Sequence, residues 1–542
     1  MKYSGKLELT WVNKDKNTNI EPRILIEDKN KSFGDPHADN MLIHGDNLIA
    51  LKALLDKYTN SIDFIYIDPP YNTGKAFDFY DDNVEHSIWL SLMKSRLDLM
   101  KQLLKDDGII CCQIDDSESH YLKIVMDEVF GRSNYLNSFY IQVRYPGKTL
   151  AEDSDYQKVI EQVLVYGVDR YKAKLNRPTV EYSLDKFIWK VTELTQGEEI
   201  ELGRKKVVIF KPGEYTIEQI EPCLTGLKET WATGSLSRVK ASAGEFFELY
   251  LGARKEIDGL GCLYKVYGIG EDGLGFRYIS GPKKATANKG KFYSGIPLDR
   301  LEELKTGKSV KYVPVPNFYD FAGNFGNCRL EGGVDFKGGK KPEALIKMLL
   351  DFYTKPGDLV LDSFLGSGST IATAHKMGRK WIGIEMGTQA YTHDKVRMDN
   401  VISGRDKTGI SKEVNWKGGG GYKFYELAEP LLVKNPVIPV YDVNPSYTFE
   451  MICEAVCKIE SFTYAPSGFY HGYSTENRFI HVTLEFVNGE YVSELAAKLT
   501  GKQSLIVYCL KHQRDIALPD NIEIKRIPRD IQGKFNFESE EE

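Results

Sequence analysis

Ile62-Asp63-Phe64-Ile65-Tyr66-Ile67-Asp68-Pro69-Pro70-Tyr71 sets a run of apolar and β-branched residues directly before a double proline. Such a run reads as a buried strand, and two prolines end it, because neither can donate to a β-ladder. Upstream, MLIHGDN (41–47) reads as a second buried strand running into a helix, LIALKALLDKY (48–58). Downstream, HSIWLSLMKSRLDLMKQLLKDDG (86–108) has the spacing of an amphipathic helix stopped by Gly108, and GIICCQID (108–115) reads as another buried strand. The order strand, helix, strand, helix predicts an α/β fold with a doubly wound, mainly parallel sheet.

The pattern is interrupted and then resumes. Residues 141–325 are richer in Gly, Tyr and Lys, with short strands and frequent turns, and read as a β-rich or mixed inserted domain. Over 326–420 the alternation returns: KPEALIKMLLDFY (341–353) is a helix, DLVLDSF (358–364) a strand, STIATAHKMG (369–378) a helix and KWIGIEM (380–386) a strand. Residues 1–40 read as a polar arm with one or two short strands. After the GGGG run at 418–421, residues 421–542 hold a further α/β set (FIHVTLEFV, VSELAAKLTG, QSLIVYCL, NIEIKRIP) and a solvated acidic tail, ESEEE.

The 542 residues are 42% hydrophobic and 27% charged, which excludes a disordered or fibrous chain. No apolar run approaches the ~20 residues of a membrane span, and the first residues lack a signal-peptide core, so a cytoplasmic protein is expected. No Cys-x-x-Cys occurs among the eight cysteines, so no metal site is expected, and reduced, mostly buried thiols are. Net charge is −6, yet Arg277 to Lys311 carries nine Lys/Arg against three Asp/Glu.

Two strand ends carry chemistry. At the first, the Asp68 carboxylate, the carbonyls of a stiff Pro69-Pro70 turn and the Tyr71 ring can grip a planar ring bearing an exocyclic amine; the same four residues also make an ordinary rigid turn. Thr73 and Gly74 follow. At the second, Asp362-Ser363-Phe364-Leu365-Gly366-Ser367-Gly368-Ser369-Thr370 passes from strand to loop to helix. Its glycines permit positive φ, and the helix N-terminus suits a carboxylate. Glu385, ending the next strand, is placed to accept from ribose hydroxyls. The pattern is neither G-x-G-x-x-G nor a P-loop. A nucleotide-containing ligand with a carboxylate, such as S-adenosylmethionine, fits better than NAD or ATP. Asp46 reads as a helix N-cap or as an acceptor for an adenine amine, and Lys341-Pro342-Glu343 as a helix start.

In this order, with HGDN before DPPY and KPE before DSFLGSGST, the chain resembles the β class of amino-methylating DNA methyltransferases. Its basic insert and GGGGYKFYEL resemble the modification (Mod) subunits of type III restriction-modification systems. The resemblance implies a Rossmann-like, circularly permuted methyltransferase sheet. Asp68, Pro69, Pro70 and Tyr71 would take a flipped adenine. Asp362, Phe364, Gly366, Ser367, Gly368, Ser369 and Glu385 would take S-adenosylmethionine, assisted by Asp46, Lys341 and Pro342. It further implies double-stranded DNA as substrate, adenine N6 as the methylated atom, a target-recognition role for 141–325, a homodimer and a restriction (nuclease-translocase) partner; residues 421–542, which lack catalytic signatures, are expected to serve dimerisation or partner docking. Arg277, Lys283, Lys284, Lys289 and Lys291, interleaved with Phe276, Tyr278, Phe292 and Tyr293, are the expected phosphate contacts. Two alternatives stay open: a recognition subunit with methylation secondary, and cytosine-N4 methylation. A cytosine-C5 mechanism would need a cysteine nucleophile, and Cys223 of Pro222-Cys223 reads as structural.

Overall fold

The structure is a computed structural model that describes residues 8–14, 20–72, 85–147, 155–232, 243–287, 289–306 and 309–535. Thr73, Gly74, part of the N-terminal arm and the ESEEE tail lie outside the described residues. The chain divides into two compact units, 1–176 with 316–542, and 177–315.

The first unit is built on a sheet in which six parallel strands lie side by side: Gly421–Leu427, Met41–His44, Lys380–Glu385, Leu359–Asp362, Ile62–Ile67 and Leu104–Ile114. Ile160–Gly167 then adds antiparallel, followed by Tyr135–Gln142 and the short Phe318–Asp320. Ile62–Ile67 and Leu359–Asp362 are direct neighbours, with Phe64 opposite Val360 and Ile65 opposite Leu361. From the first the chain winds outward to Leu104–Ile114, and from the second the opposite way to Lys380–Glu385. The gap between them is therefore the switch point of the sheet, where open α/β folds bind ligands at the strands' carboxyl ends.

The strands form where the sequence is continuously apolar, because helices cover both faces. Helix His86–Leu103 buries Trp89, Leu90, Met93, Leu97 and Met100, one face at helical spacing, and Glu85 caps its N-terminus by accepting from Ser87 N and Ile88 N. It ends at Leu103, not at Gly108. Leu104 already pairs with Ile62, and Lys105 reaches Asp63 at 2.6 Å, so strand pairing takes the last residues of the helical pattern.

The insertion is also narrower than 141–325. The segments 135–142 and 160–167 belong to the core sheet, and the second unit is 177–315. That unit is an eight-stranded antiparallel sheet with an apolar cluster around Val207, Phe247, Tyr264 and Ile279 on one face. At the far end, Gly421–Leu427 joins the core sheet, so the C-terminal layer starts later than 421. It is a five-stranded sheet (463–526) packed on helix Phe449–Ile459, tied to the core by Lys458 and Asp56 at 2.7 Å. Seven of the eight cysteines are buried and all are free, with Cys223 half-buried. No helix among the described residues is long and apolar enough to cross a membrane.

Candidate active site at the switch point

The carboxyl ends of four neighbouring strands bring four acids into one row: Asp46, Glu385, Asp362 and Asp68. Asp68 meets two side chains. Its Oδ1 accepts from Tyr71 Oη at 2.7 Å, and its Oδ2 lies 2.6 Å from Lys341 Nζ, whose side chain is only 7% exposed. Burial raises the Asp68 carboxyl above the usual carboxylate range; Glu161 adds to the rise and Lys341 opposes it. Trp89 Nε1 donates to the Pro70 carbonyl at 2.9 Å, so the double-proline turn is held from the helix behind it.

Lys341 was expected on the cofactor side. The structure places its ammonium on Asp68 and 5.0 Å from the Tyr71 ring centroid, because a pair of buried opposite charges is far better satisfied together than apart. Pro342 is the N-cap of helix Glu343–Tyr353. Glu343 is fully buried and accepts from Lys376 and Arg397. Arg397 Nη1 in turn donates to the Ser367 carbonyl at 2.8 Å and Ser369 Oγ at 3.0 Å. The KPE segment therefore braces the glycine loop from below.

In that loop Asp362 Oδ1 accepts from Phe364 N at 2.9 Å, and burial pushes its carboxyl up to about 7. Gly366 and Gly368 both have positive φ, and a Cβ on Gly368 would lie 2.9 Å from Asp394 Oδ1. Glu385 receives the Gly366 N–H at 2.8 Å and the Gly387 N–H at 2.9 Å, which fixes the loop against the next strand. A carboxylate oxygen has two lone pairs, so Glu385 can accept from a ligand hydroxyl while it holds the loop. Asp46 acts as the N-cap of Asn47–Tyr58, accepting from Leu48 N and Ile49 N, and meets Arg96 at 3.2 Å. Asn47 Nδ2 donates to the Ser363 carbonyl at 2.8 Å, joining HGDN to the loop. Ser363 Oγ, Gln389 Nε2 and both Asp394 carboxylate oxygens are buried without a hydrogen-bond partner. A loop of positive-φ backbone with orphaned polar atoms around it is what a polar, amino-acid-bearing nucleoside requires, so these residues fit S-adenosylmethionine.

Sequence reasoning missed Glu161, Gln113, Arg96, Asn47 and Arg397. Glu161 lies on Ile160–Gly167, inside the expected insertion, and only its pairing in the core sheet brings it to Tyr71. Arg96 carried a faint signal, a cation on the apolar face of its helix.

In the second unit, Lys283, Lys284 and Lys289 are exposed, beside a cavity of about 550 Å³ also lined by Glu229, Trp231 and Lys291. Two of the five expected phosphate contacts are otherwise engaged. Arg277 is buried against Asp272, and Lys291 pairs with Glu229 at 2.6 Å. Tyr278 and Tyr293 are buried and donate to Glu193 and Glu229, so they pack the sheet instead of stacking on a ligand. The physical reason is that the sheet is packed on both faces: Tyr278 and Tyr293 join one apolar cluster, Arg277 is held by Asp272, and the lysines lie in the turn between the strands.

The DNA methylase family profile matches residues 62–394, which include both strand-end motifs. The chain belongs to the DNA methylase family. Among relatives of this chain, the probable type III restriction-modification enzyme HindVI Mod subunit of Haemophilus influenzae is 35% identical over 451 residues, 79% of this chain and 59% of that protein. The EcoPI Mod subunit of Escherichia phage P1 is 26% identical over 419 residues, 67% and 59% respectively. The type II methyltransferase M.KpnI of Klebsiella pneumoniae is 28% identical over 368 residues, 65% and 79%. The chain thus spans less than two thirds of the length of the two Mod subunits.

Proposed function

We propose that this chain is a site-specific DNA methyltransferase that methylates adenine N6 from S-adenosylmethionine and serves as the modification subunit of a type III restriction-modification system. The observation that carries this reading is the adjacency of Ile62–Ile67 and Leu359–Asp362, which sets DPPY and the glycine loop side by side at the switch point. Similarity to Mod subunits supports the type III role, and similarity to a type II methyltransferase supports DNA methylation.

The exocyclic amine of adenine is a poor nucleophile, since its lone pair is delocalised into the ring. Hydrogen bonds from its two hydrogens to the Asp68 carboxylate and the Pro69 carbonyl favour a pyramidal nitrogen with its lone pair directed outward. Tyr71 offers a stacking face for a base withdrawn from the duplex. The Asp362–Ser369 loop and Glu385, with Asp46 nearby, would hold S-adenosylmethionine, which would supply a methyl group already activated by its sulfonium. The chain's own contribution is alignment and fixed charge. Lys283, Lys284 and Lys289 supply phosphate contacts on the target-recognition unit, and a homodimer and a restriction subunit are the proposed protein partners.

Methylation-sensitive sequencing of DNA from cells with and without the chain tests the reading. N6-methyladenine in one sequence context, lost with Asp68→Ala, is expected. N4-methylcytosine, or methylation that survives Asp68→Ala, overturns it.

A further inference from the structure

We infer that Glu161 is the terminal station of a proton path that leaves the target amine through Asp68 and the Tyr71 hydroxyl. The inference rests on the reading of Asp68 given above and goes beyond it. An amine nitrogen that gains a methyl must lose one hydrogen as a proton, and the crevice has to take it.

The geometry is a continuous chain. Tyr71 Oη stands 2.7 Å from Asp68 Oδ1 and 2.9 Å from Glu161 Oε2, so its single hydrogen can be donated to either carboxylate, and its oxygen can accept from Asp68 once Asp68 is protonated. On the far side, Gln113 Nε2 donates to the same Glu161 oxygen at 2.5 Å. Gln113 Oε1 in turn accepts from the buried Tyr66 hydroxyl. Glu161 is thereby held as an acceptor. Lys341 faces both carboxylates, at 2.6 Å from Asp68 and 3.9 Å from Glu161. Two carboxylates share one cation, a formal charge of −1 that one arriving proton neutralises.

The step balances. As the methyl carbon bonds to the amine nitrogen, its bond to the sulfonium sulfur breaks and the sulfur keeps that electron pair as a neutral thioether, while the nitrogen passes one proton to Asp68 Oδ1. Protonated Asp68 then donates to Tyr71 Oη while Tyr71 gives its own hydrogen to Glu161 Oε2. Asp68 returns to the carboxylate, Tyr71 to the phenol, and Glu161 carries the proton until water removes it. Tyr71 never has to ionise, which matters because burial beside the two carboxylates drives its phenol well above the usual range. Glu161 acts through Tyr71 and is a positioning residue, not one that touches the base.

The test is the single-turnover methylation of plasmid DNA from a methylation-deficient host, with tritiated S-adenosylmethionine, as a function of pH. The groups facing Asp68 are Lys341, Glu161, Tyr71, Tyr66, Cys112 and Asp362. Glu161→Gln removes a negative neighbour and Tyr71→Phe removes a donated hydrogen bond. Each is expected to slow methylation by about tenfold or more. Their acid limbs are expected to move in opposite directions, down in pH for Glu161→Gln and up for Tyr71→Phe. Glu161→Asp, which keeps a carboxylate, is expected to recover part of the rate. Rates within about twofold of wild type and unmoved limbs in both variants overturn the inference. If Glu161→Gln no longer binds S-adenosylmethionine and so has not folded, Tyr71→Phe decides alone on the same criteria. Methylation that survives Asp68→Ala would instead sink the underlying reading of Asp68, which separates the two failures.

Discussion

Replacing Glu343 by alanine probes the charge network under the glycine loop. The Glu343 carboxylate, 0% exposed, meets Lys376 Nζ at 2.7 Å and Arg397 Nη2 at 2.8 Å, and accepts from Ile410 N at 3.1 Å. After truncation Lys376 keeps Asp406 at 2.5 Å, but Arg397 is left with Glu331 at 4.0 Å. Removing one partner of a buried pair costs about 3–5 kcal/mol. The surviving Asp406 pairing places this case toward the lower end, at about 3–4 kcal/mol. At about 2–4 °C per kcal/mol the melting midpoint should fall by roughly 6–16 °C. Arg397 also anchors Ser367 and Ser369, so affinity for S-adenosylmethionine should drop by about tenfold or more, about 1.4 kcal/mol. Calorimetric melting and a cofactor titration measure both. Glu343→Gln, which keeps an acceptor for Ile410 N, should fall between. A midpoint within about 2 °C of wild type, with unchanged cofactor affinity, would refute the claim that the network supports the loop.

Three further outcomes are expected. Asp68 must be ionised to accept from an amine, and its carboxyl lies above the usual range of about 3.9, so methylation should decline on acidification earlier than for an ordinary aspartate. Asp68→Asn should flatten that limb and slow transfer by about 10²–10⁴. Gly368→Ala places a side chain at φ +70 and 2.9 Å from Asp394 Oδ1, and should cost about 1–3 kcal/mol of stability along with cofactor affinity, read by melting with and without the ligand. Replacing Lys283, Lys284 and Lys289 together by alanine should reduce the slope of log affinity against log salt by roughly 0.9 for each phosphate no longer neutralised, whereas Arg277→Ala should lower the melting midpoint. An unchanged slope rejects those lysines as phosphate ligands.

The core of the fold was legible because local pattern and tertiary role agree there. Apart from Asp63 and the end residues Asp362, Lys380 and Glu385, strands Ile62–Ile67, Leu359–Asp362 and Lys380–Glu385 carry no charge, as strands covered on both faces require, and each runs into a polar turn that marks its carboxyl end. What was not legible depends on pairing across long separations. Nothing around Glu161 marks it as a neighbour of Tyr71, since the two are 90 positions apart and only the antiparallel addition of Ile160–Gly167 joins them. Lys341 and Asp68 likewise meet across the switch point. The basic run at 277–291 was read as one surface, yet the turn and strand positions within it divide: the turns keep free lysines, while Arg277 is buried against an aspartate five residues back.

The row of acids also bears on which ligand the crevice favours. Asp46 has Arg96, Asp68 has Lys341 and Glu385 has two backbone N–H groups, but among the described residues no cation pairs with Asp362, whose carboxyl is pushed up to about 7 by burial with Asp68 and Glu385 nearby. Compensation is therefore incomplete where the loop meets the strand. A polyphosphate cofactor brought to this row would add like charge to like, and no loop lysine is placed as in a P-loop to offset it. A ligand carrying an ammonium and a sulfonium would instead lower the field of the whole row, while its single carboxylate could turn to the N-terminus of Ser369–Lys376. The electrostatics of the strand ends and the conformation of the glycine loop thus select the same chemical class independently, and both support a cationic methyl donor over NAD or ATP.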